Sequence, residues 1–118
     1  MRTLIFSLLL GVSMLATAAT ADGVKAKFGD NMEIVLPADQ PLQSVYTIDI
    51  TGLFTNEELA NQFFGMFTEN VVHYVVHYAE NYVEVHLHSY ADPEWTLPQW
   101  NTYFTGRSVK MRAVYESL

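Results

Sequence analysis

All four histidines of the chain lie within residues 73–88, together with two glutamates, Glu80 and Glu84. The five residues that could hold an ion are His73, His77, Glu84, His86 and His88. Imidazole and carboxylate groups are ligands of Zn(II), Cu(II) and Ni(II), so this pattern predicts a site for one of these ions. A solvated sheet face also needs polar side chains, and histidines on a strand serve that purpose. This plainer explanation stays open.

The residues around the histidines alternate between apolar and polar types, which predicts a β-hairpin over residues 71–88. Glu80-Asn81 separates two runs rich in branched and aromatic residues and predicts a two-residue turn. One face of this hairpin is then apolar: Val72, Tyr74, Val76, Tyr78, Val83, Val85 and Leu87. The opposite face carries His73, Val75, His77, Glu84, His86 and His88.

A two-residue turn also predicts which side chains meet across the hairpin. His73 would lie directly opposite His88, and His77 opposite Glu84. Directly opposed side chains have Cβ atoms about 5 Å apart, close enough for two of them to share one ion.

Two further groups of residues have a structural explanation that we favour over a chemical one. Asp49, Lys110 and Arg112 fall on neighbouring predicted strands, where a solvated ion pair is expected. Core and rim packing explains the aromatic residues near the C-terminus: Trp95, Trp100, Tyr103 and Phe104. Nothing in the sequence places a strained nucleophile beside a base, so we predict no catalytic site.

Composition argues against several classes of partner. The chain has no cysteine, which excludes thiol catalysis, thiolate metal sites and disulfides. Stability must then come from packing, to which the 14% of aromatic residues contribute. Thirteen acidic and six basic residues give a net charge of −7, which disfavours nucleic acid and anionic membrane surfaces.

Residues 1–21 are predicted to be a secretory signal peptide. A basic start precedes an apolar run over Leu4–Leu15, and Ala19-Thr20-Ala21 offers a small-x-small cleavage site. The run is too short for a stable membrane anchor, although a retained N-terminal anchor is the alternative. Cleavage after Ala21 would remove Arg2 and change the net charge from −7 to −8. We therefore expect a periplasmic or secreted protein.

The rest of the chain predicts an N-terminal arm and one domain. Residues 22–44 are interrupted by Pro37 and Pro41 and are expected to form an extended arm along the domain's edge. Residues 45–118 show the segment order β-α-β-β-α-β. The helices are expected to begin with capping boxes at Thr55–Glu58 and Thr96–Gln99.

Side-chain spacing indicates which faces of these elements are buried. Val45–Thr51 alternates as a half-buried strand, and the next segment carries a helical stripe of phenylalanines. Gly106 is expected to end the second helix, and Val109–Tyr115 to form a last strand. The predicted fold is α+β and ferredoxin-like, with two helices on one face of a four-stranded antiparallel sheet of order 4-1-3-2.

The motif Ile48-x-Ile50-x-Gly52-Leu53, the helix after it and the hairpin resemble the heavy-metal-associated domains of copper chaperones and metal-pumping ATPases. The resemblance covers Val45 to Tyr115 and implies the ferredoxin-like fold. In that family a Cys-x-x-Cys motif follows the glycine and holds Cu(I) or Zn(II). Those two positions are Thr55 and Glu58 here, so the resemblance does not imply a metal site in this loop.

Two hypotheses for a non-enzymatic domain follow from the sequence. In the first, the histidine face binds a divalent transition-metal ion. In the second, the open sheet face binds a protein partner or a second copy of the chain without metal. Val75, Tyr82 and Val114, predicted on that face, favour an interface.

Overall fold

The computed structural model describes residues 23–88 and 94–118. The predicted signal peptide lies outside these ranges, as do residues 89–93. The elements in chain order are β1 (Val24–Lys25), β2 (Val45–Asp49), α1 (Glu57–Phe67), β3 (Val72–His77), a 3₁₀ turn (Tyr78–Glu80), β4 (Tyr82–Leu87) and α2 (Leu97–Glu116). The fold is therefore α+β, with two helices and a four-stranded sheet. Neither helix has the length and apolar character that a membrane span requires, within the described ranges.

The strands lie in the order β1-β2-β4-β3. β1 is parallel to β2, whereas β4 is antiparallel to both of its neighbours, so the sheet is mixed. The predicted order 4-1-3-2 is confirmed for its last three members, which are β2, β4 and β3. The prediction is wrong for the first position, at the edge next to β2. The strand there is parallel to β2, whereas an antiparallel strand was predicted. The N-terminal strand β1 occupies the edge that the C-terminal segment was expected to fill.

The C-terminal segment is helical because its buried residues follow a helical spacing. α2 continues through Gly106 to Glu116 and buries Trp100, Phe104, Ser108 and Met111 on one side. A glycine inside a helix costs about 1 kcal/mol relative to alanine, which burial of this stripe offsets. The predicted strand over Val109–Tyr115 is therefore wrong: Met111 is 1% exposed, but Val109 is 64% exposed.

One face of the sheet shares a single apolar core with both helices. Tyr46 and Ile48 of β2 are fully buried, as their alternation predicted. The phenylalanine stripe of α1 is also confirmed, and the ring of Phe64 lies 5.2 Å from that of Tyr74 in β3. The helices therefore cover the apolar face and leave the histidine face outside the core.

Residues 24–36 also contribute to this core. Lys27 and Val35 form an isolated antiparallel bridge, so the chain doubles back after β1. The residues of this segment that are buried are Ala26, Met32, Ile34 and Leu36. Leu36 N–H donates to Asn101 Oδ1 at 2.8 Å, and Asn101 Nδ2 donates to the Leu36 carbonyl at 3.2 Å. This pair of hydrogen bonds fixes the segment to α2.

The hairpin register differs from the predicted one by two residues. Val76 pairs with Val83, and Tyr74 pairs with Val85. The connection contains the 3₁₀ turn and Asn81 in the left-handed conformation, so it is longer than the predicted two-residue turn. A shift by two residues keeps each side chain on its face, and both predicted faces are confirmed for the residues of β3 and β4. Two predicted members lie outside the strands, since Tyr78 is in the 3₁₀ turn and His88 follows β4.

The starts of the helices test the two predicted capping boxes. The box at Thr96–Gln99 is confirmed, because Thr96 N–H donates to Gln99 Oε1 at 2.7 Å and Gln99 N–H donates to Thr96 Oγ1 at 3.4 Å. The box at Thr55–Glu58 is wrong. Asn56 is the N-cap of α1, and its Oδ1 accepts a hydrogen bond from Leu59 N–H at 2.9 Å.

We expect Asn56→Ala to lower the free energy of unfolding by about 1 kcal/mol, because the Leu59 N–H then loses its acceptor. Thr55→Ala is the matched control and should change stability by less than about 0.5 kcal/mol. Urea denaturation of both variants measures the difference. Equal losses in the two variants would show that the cap is assigned to the wrong residue.

Candidate functional site

Three rows of side chains form the sheet face opposite the core. The register of β2, β4 and β3 defines them as Val45–His86–His73, Thr47–Glu84–Val75 and Asp49–Tyr82–His77. We call these nine residues the open face. Glu84 lies at its centre, flanked by Thr47 and Val75 in the same row.

The carboxylate of Glu84 lies between two imidazoles. His86 Nε2 donates to Oε1 at 2.8 Å, and His77 Nε2 donates to Oε2 at 3.2 Å. An ionised carboxylate can only accept hydrogen bonds, so these two contacts require the histidine tautomer that has its proton on Nε2. The Glu84 side chain is only 16% exposed, and these two donors satisfy oxygens that neighbouring side chains have largely removed from water.

The structure places the predicted site residues differently from the expected pairing. His77 is opposite Tyr82 and reaches Glu84 diagonally. His73 is opposite His86, with their ring centroids 6.1 Å apart, and not opposite His88. His88 is exposed just beyond β4 and makes no hydrogen bond or ring contact with the other four among the described residues.

Tyr82 also lies beside this cluster, although the sequence did not indicate it as a site residue. Its ring stacks on the His77 imidazole, with centroids 4.6 Å apart and planes inclined by 21°. This contact restricts rotation of the imidazole. Alternation along β4 already places Tyr82 on the open face, but the predicted register put Glu84 opposite His77. The longer turn is what brings Tyr82 to that position.

No group of three or more His, Cys, Asp or Glu side chains in the described ranges is arranged to hold a metal ion as it stands. His77 and His86 bond to different oxygens of Glu84, so their Nε2 atoms point at the carboxylate and not at a common ion. Ligands of a tetrahedral zinc ion lie about 2.0–2.1 Å from it and roughly 3.3 Å from one another. The distances from Glu84 oxygens to His77 Nε2, 3.2 Å, and to His86 Nε2, 2.8 Å, are already close to that separation between ligands.

The group Asp49, Lys110 and Arg112 is not formed, because Lys110 and Arg112 lie in α2. Asp49 Oδ1 instead accepts hydrogen bonds from the Thr51 hydroxyl at 2.6 Å and from Thr51 N–H at 2.9 Å. These bonds, with a smaller contribution from the charge of Lys25, hold the pKa of Asp49 below its usual value. Asp49 is therefore an anion fixed at the edge of the open face.

The C-terminal aromatic residues divide between core and rim, as we expected. Trp100 and Phe104 are each 1% exposed. Trp95 and Tyr103 are half-buried and line a shallow groove of about 460 Å³ with Pro98, Gln99 and Thr102. The Tyr103 hydroxyl donates to Glu69 Oε2, and burial together with this carboxylate raises the pKa of Tyr103. This contact ties α2 to the loop before β3.

No protein-family model, no curated protein and no solved structure matches this chain.

Proposed function

We propose that this protein is an exported, non-enzymatic domain that binds a divalent transition-metal ion at its open face. His77, Glu84 and His86 would be the ligands, and Zn(II), Cu(II) or Ni(II) is the class of ion that suits them. The observation that carries the proposal is the Glu84 carboxylate, which lies 2.8 and 3.2 Å from two imidazole nitrogens on a face that solvent reaches.

Binding would require rotation of side chains and a change of histidine tautomer, with no change in the sheet. Each neutral imidazole would transfer its proton from Nε2 to Nδ1 through solvent, leaving the Nε2 lone pair for the ion, and the Glu84 carboxylate would change from hydrogen-bond acceptor to ligand. The side chains of His77 and His86 are 32% and 29% exposed, so an ion can approach from solvent. The stacked ring of Tyr82 restricts the rotation of the His77 imidazole, so fewer ring orientations are lost when the ion binds.

A metal-free interaction surface is the second candidate function. Val75 and Tyr82 are half-buried on the open face and would gain from being covered by a partner. Val114 no longer supports this candidate, because it lies in α2. The two candidates make opposite predictions about added metal.

The proposal includes an exported chain, processed after Ala21, and a ferredoxin-like core. Its support in the fold is the order β2-α1-β3-β4-α2, which follows the first five elements of that arrangement. β1 would take the position of the last strand.

Thermal unfolding of the purified protein tests metal binding. An ion that binds only the folded state raises its stability by about 2.7 kcal/mol at a hundred times the dissociation constant. For a domain of this size that is a rise in midpoint of roughly 10–20 °C. We expect at least one of zinc, copper or nickel to produce it at about pH 7.5. The effect should shrink at about pH 5.5, because protons compete for the imidazole nitrogens.

Two variants assign the ligands. The double variant His77→Ala with His86→Ala should lose the metal-dependent rise, whereas His88→Ala should keep it. If no ion moves the midpoint, or if the double variant responds like the parent protein, the metal proposal is wrong. The open face would then be tested as a metal-free interaction surface.

A further inference from the structure

We infer that His73 is an alternative ligand of the ion at the open face, an inference that rests on the proposed function. Glu84 and His86 hold the ion in both arrangements, and either His77 or His73 completes the set of protein ligands. One chain therefore offers the ion two neighbouring positions, one towards each end of β3.

The first argument is the position of His73 relative to Glu84. Glu84 pairs with Val75, and His73 and His77 lie two residues before and two residues after Val75 on the same face. Both histidines are therefore diagonal neighbours of Glu84, and such residues lie about 7–8 Å apart, within reach of an aromatic side chain. The contact of 3.2 Å between His77 Nε2 and Glu84 Oε2 is an example of this reach. The strand thus offers Glu84 two imidazoles in equivalent register positions.

The second argument is the distance between His73 and His86, which are directly opposed across the hairpin. Their ring centroids are 6.1 Å apart. Two imidazoles that share an ion about 2.1 Å from each Nε2 have ring centres roughly 5–6 Å apart. Rotation of the two side chains therefore suffices to bring both Nε2 atoms to one ion. His77 has no opposed imidazole, because its partner across the hairpin is Tyr82.

The third argument is that a single ion binds only one of the two histidines at a time. His73 and His77 are four residues apart along β3, which separates their Cα atoms by about 13 Å at the rise of a strand. Val75 lies between them on the same face, in the space that a shared ion would need. An ion that binds His73 is therefore on one side of Glu84, and an ion that binds His77 is on the other.

His73 is also accessible to an ion from solvent. The residue is exposed, and among the described residues its imidazole has no hydrogen bond and a ring contact with His86 alone. His77, by contrast, is hydrogen-bonded to Glu84 and stacked on Tyr82. Binding through His73 therefore breaks no hydrogen bond of that residue, whereas binding through His77 replaces one. Both positions are thus within reach of the metal-free structure.

Calorimetric titration of the purified protein at about pH 7.5, with zinc alone as the probe, tests this inference. We expect the parent protein to bind one zinc ion per chain, because both positions share Glu84 and His86. His73→Ala and His77→Ala should each keep that stoichiometry and lose no more than about tenfold in affinity, since the other histidine still completes the set. The double variant His73→Ala with His77→Ala should lose at least about a hundredfold, because two ligands remain.

His88→Ala is the control and should bind zinc like the parent protein. An unchanged unfolding midpoint without metal shows that each variant is folded. A loss of about a hundredfold in either single variant would overturn the inference and leave the proposed function standing, because one histidine then does not substitute for the other. It would also be overturned if the double variant bound zinc as well as His77→Ala. Absence of zinc binding by the parent protein would overturn both proposals.

Discussion

Met111→Ala is expected to lower the free energy of unfolding by about 2–5 kcal/mol, whereas Val109→Ala should change it by no more than about 0.5 kcal/mol. The reason is that α2 buries Met111 to 1% exposure and leaves Val109 64% exposed. Removing the buried thioether chain opens a cavity that the surrounding core closes only in part. Equilibrium unfolding in urea measures both values.

This pair of variants separates the helix from the predicted strand. In a strand over Val109–Tyr115 the two residues would point inward together, and both substitutions would be costly. Comparable losses of about 2 kcal/mol or more in the two variants would contradict the helix. The unfolding slope with denaturant should stay the same, which shows that the variants lose stability and not compactness.

Ile34→Ala is expected to destabilise the protein by about 2–5 kcal/mol, and its neighbour Val35→Ala by less than about 1 kcal/mol. Ile34 is 1% exposed and belongs to the same apolar core as the helices. Val35 is 37% exposed, and its backbone hydrogen bonds with Lys27 survive the substitution. The contrast shows whether residues 24–36 stabilise the domain or merely lie on it.

The same urea experiment decides the outcome for this segment. A loss below about 1 kcal/mol for Ile34→Ala would mean that the N-terminal segment can leave without exposing the core. Equal and large losses at both positions would instead point to a general distortion of the loop that contains Met32, a non-glycine residue with a φ of 60°.

The faces of the hairpin could be predicted because side chains alternate strictly along a strand. Val83 and Val85 are fully buried, and His73 is exposed, as the alternation required. The register could not be obtained in this way, because it depends on turn length. Asn81 adopts the left-handed conformation after a 3₁₀ turn, and the sequence Glu80-Asn81 fits a shorter turn equally well.

The end of the chain was mispredicted because residues 109–115 fit both the two-residue period of a strand and the 3.6-residue period of a helix. Val109, Met111, Ala113 and Tyr115 alternate, but Met111 also continues the spacing of Trp100, Phe104 and Ser108. The residues before Gly106 are helical in both interpretations, so periodicity could not separate one long helix from a helix followed by a strand. With the last segment in α2, the free edge of β2 is available to β1.

The candidate site was predicted as a set of residues but not as a set of contacts. The face of each histidine follows from alternation alone, and the contact between His77 and Glu84 was expected. The geometry of that contact is diagonal, and Tyr82 takes the opposed position. The resemblance to heavy-metal-associated domains stays a prediction.

Nuclear magnetic resonance of the histidine ring nitrogens, followed as zinc is added, tests the central claim most directly. The method reports separately on Nδ1 and Nε2 of each of the four histidines. We expect the Nε2 signals of His77 and His86 to change to those of metal-bound imidazole, and those of His88 to stay unchanged. If the four histidines respond alike, or if His77 and His86 keep their signals while zinc is present in excess, the open face does not bind metal through Glu84 and its two imidazoles.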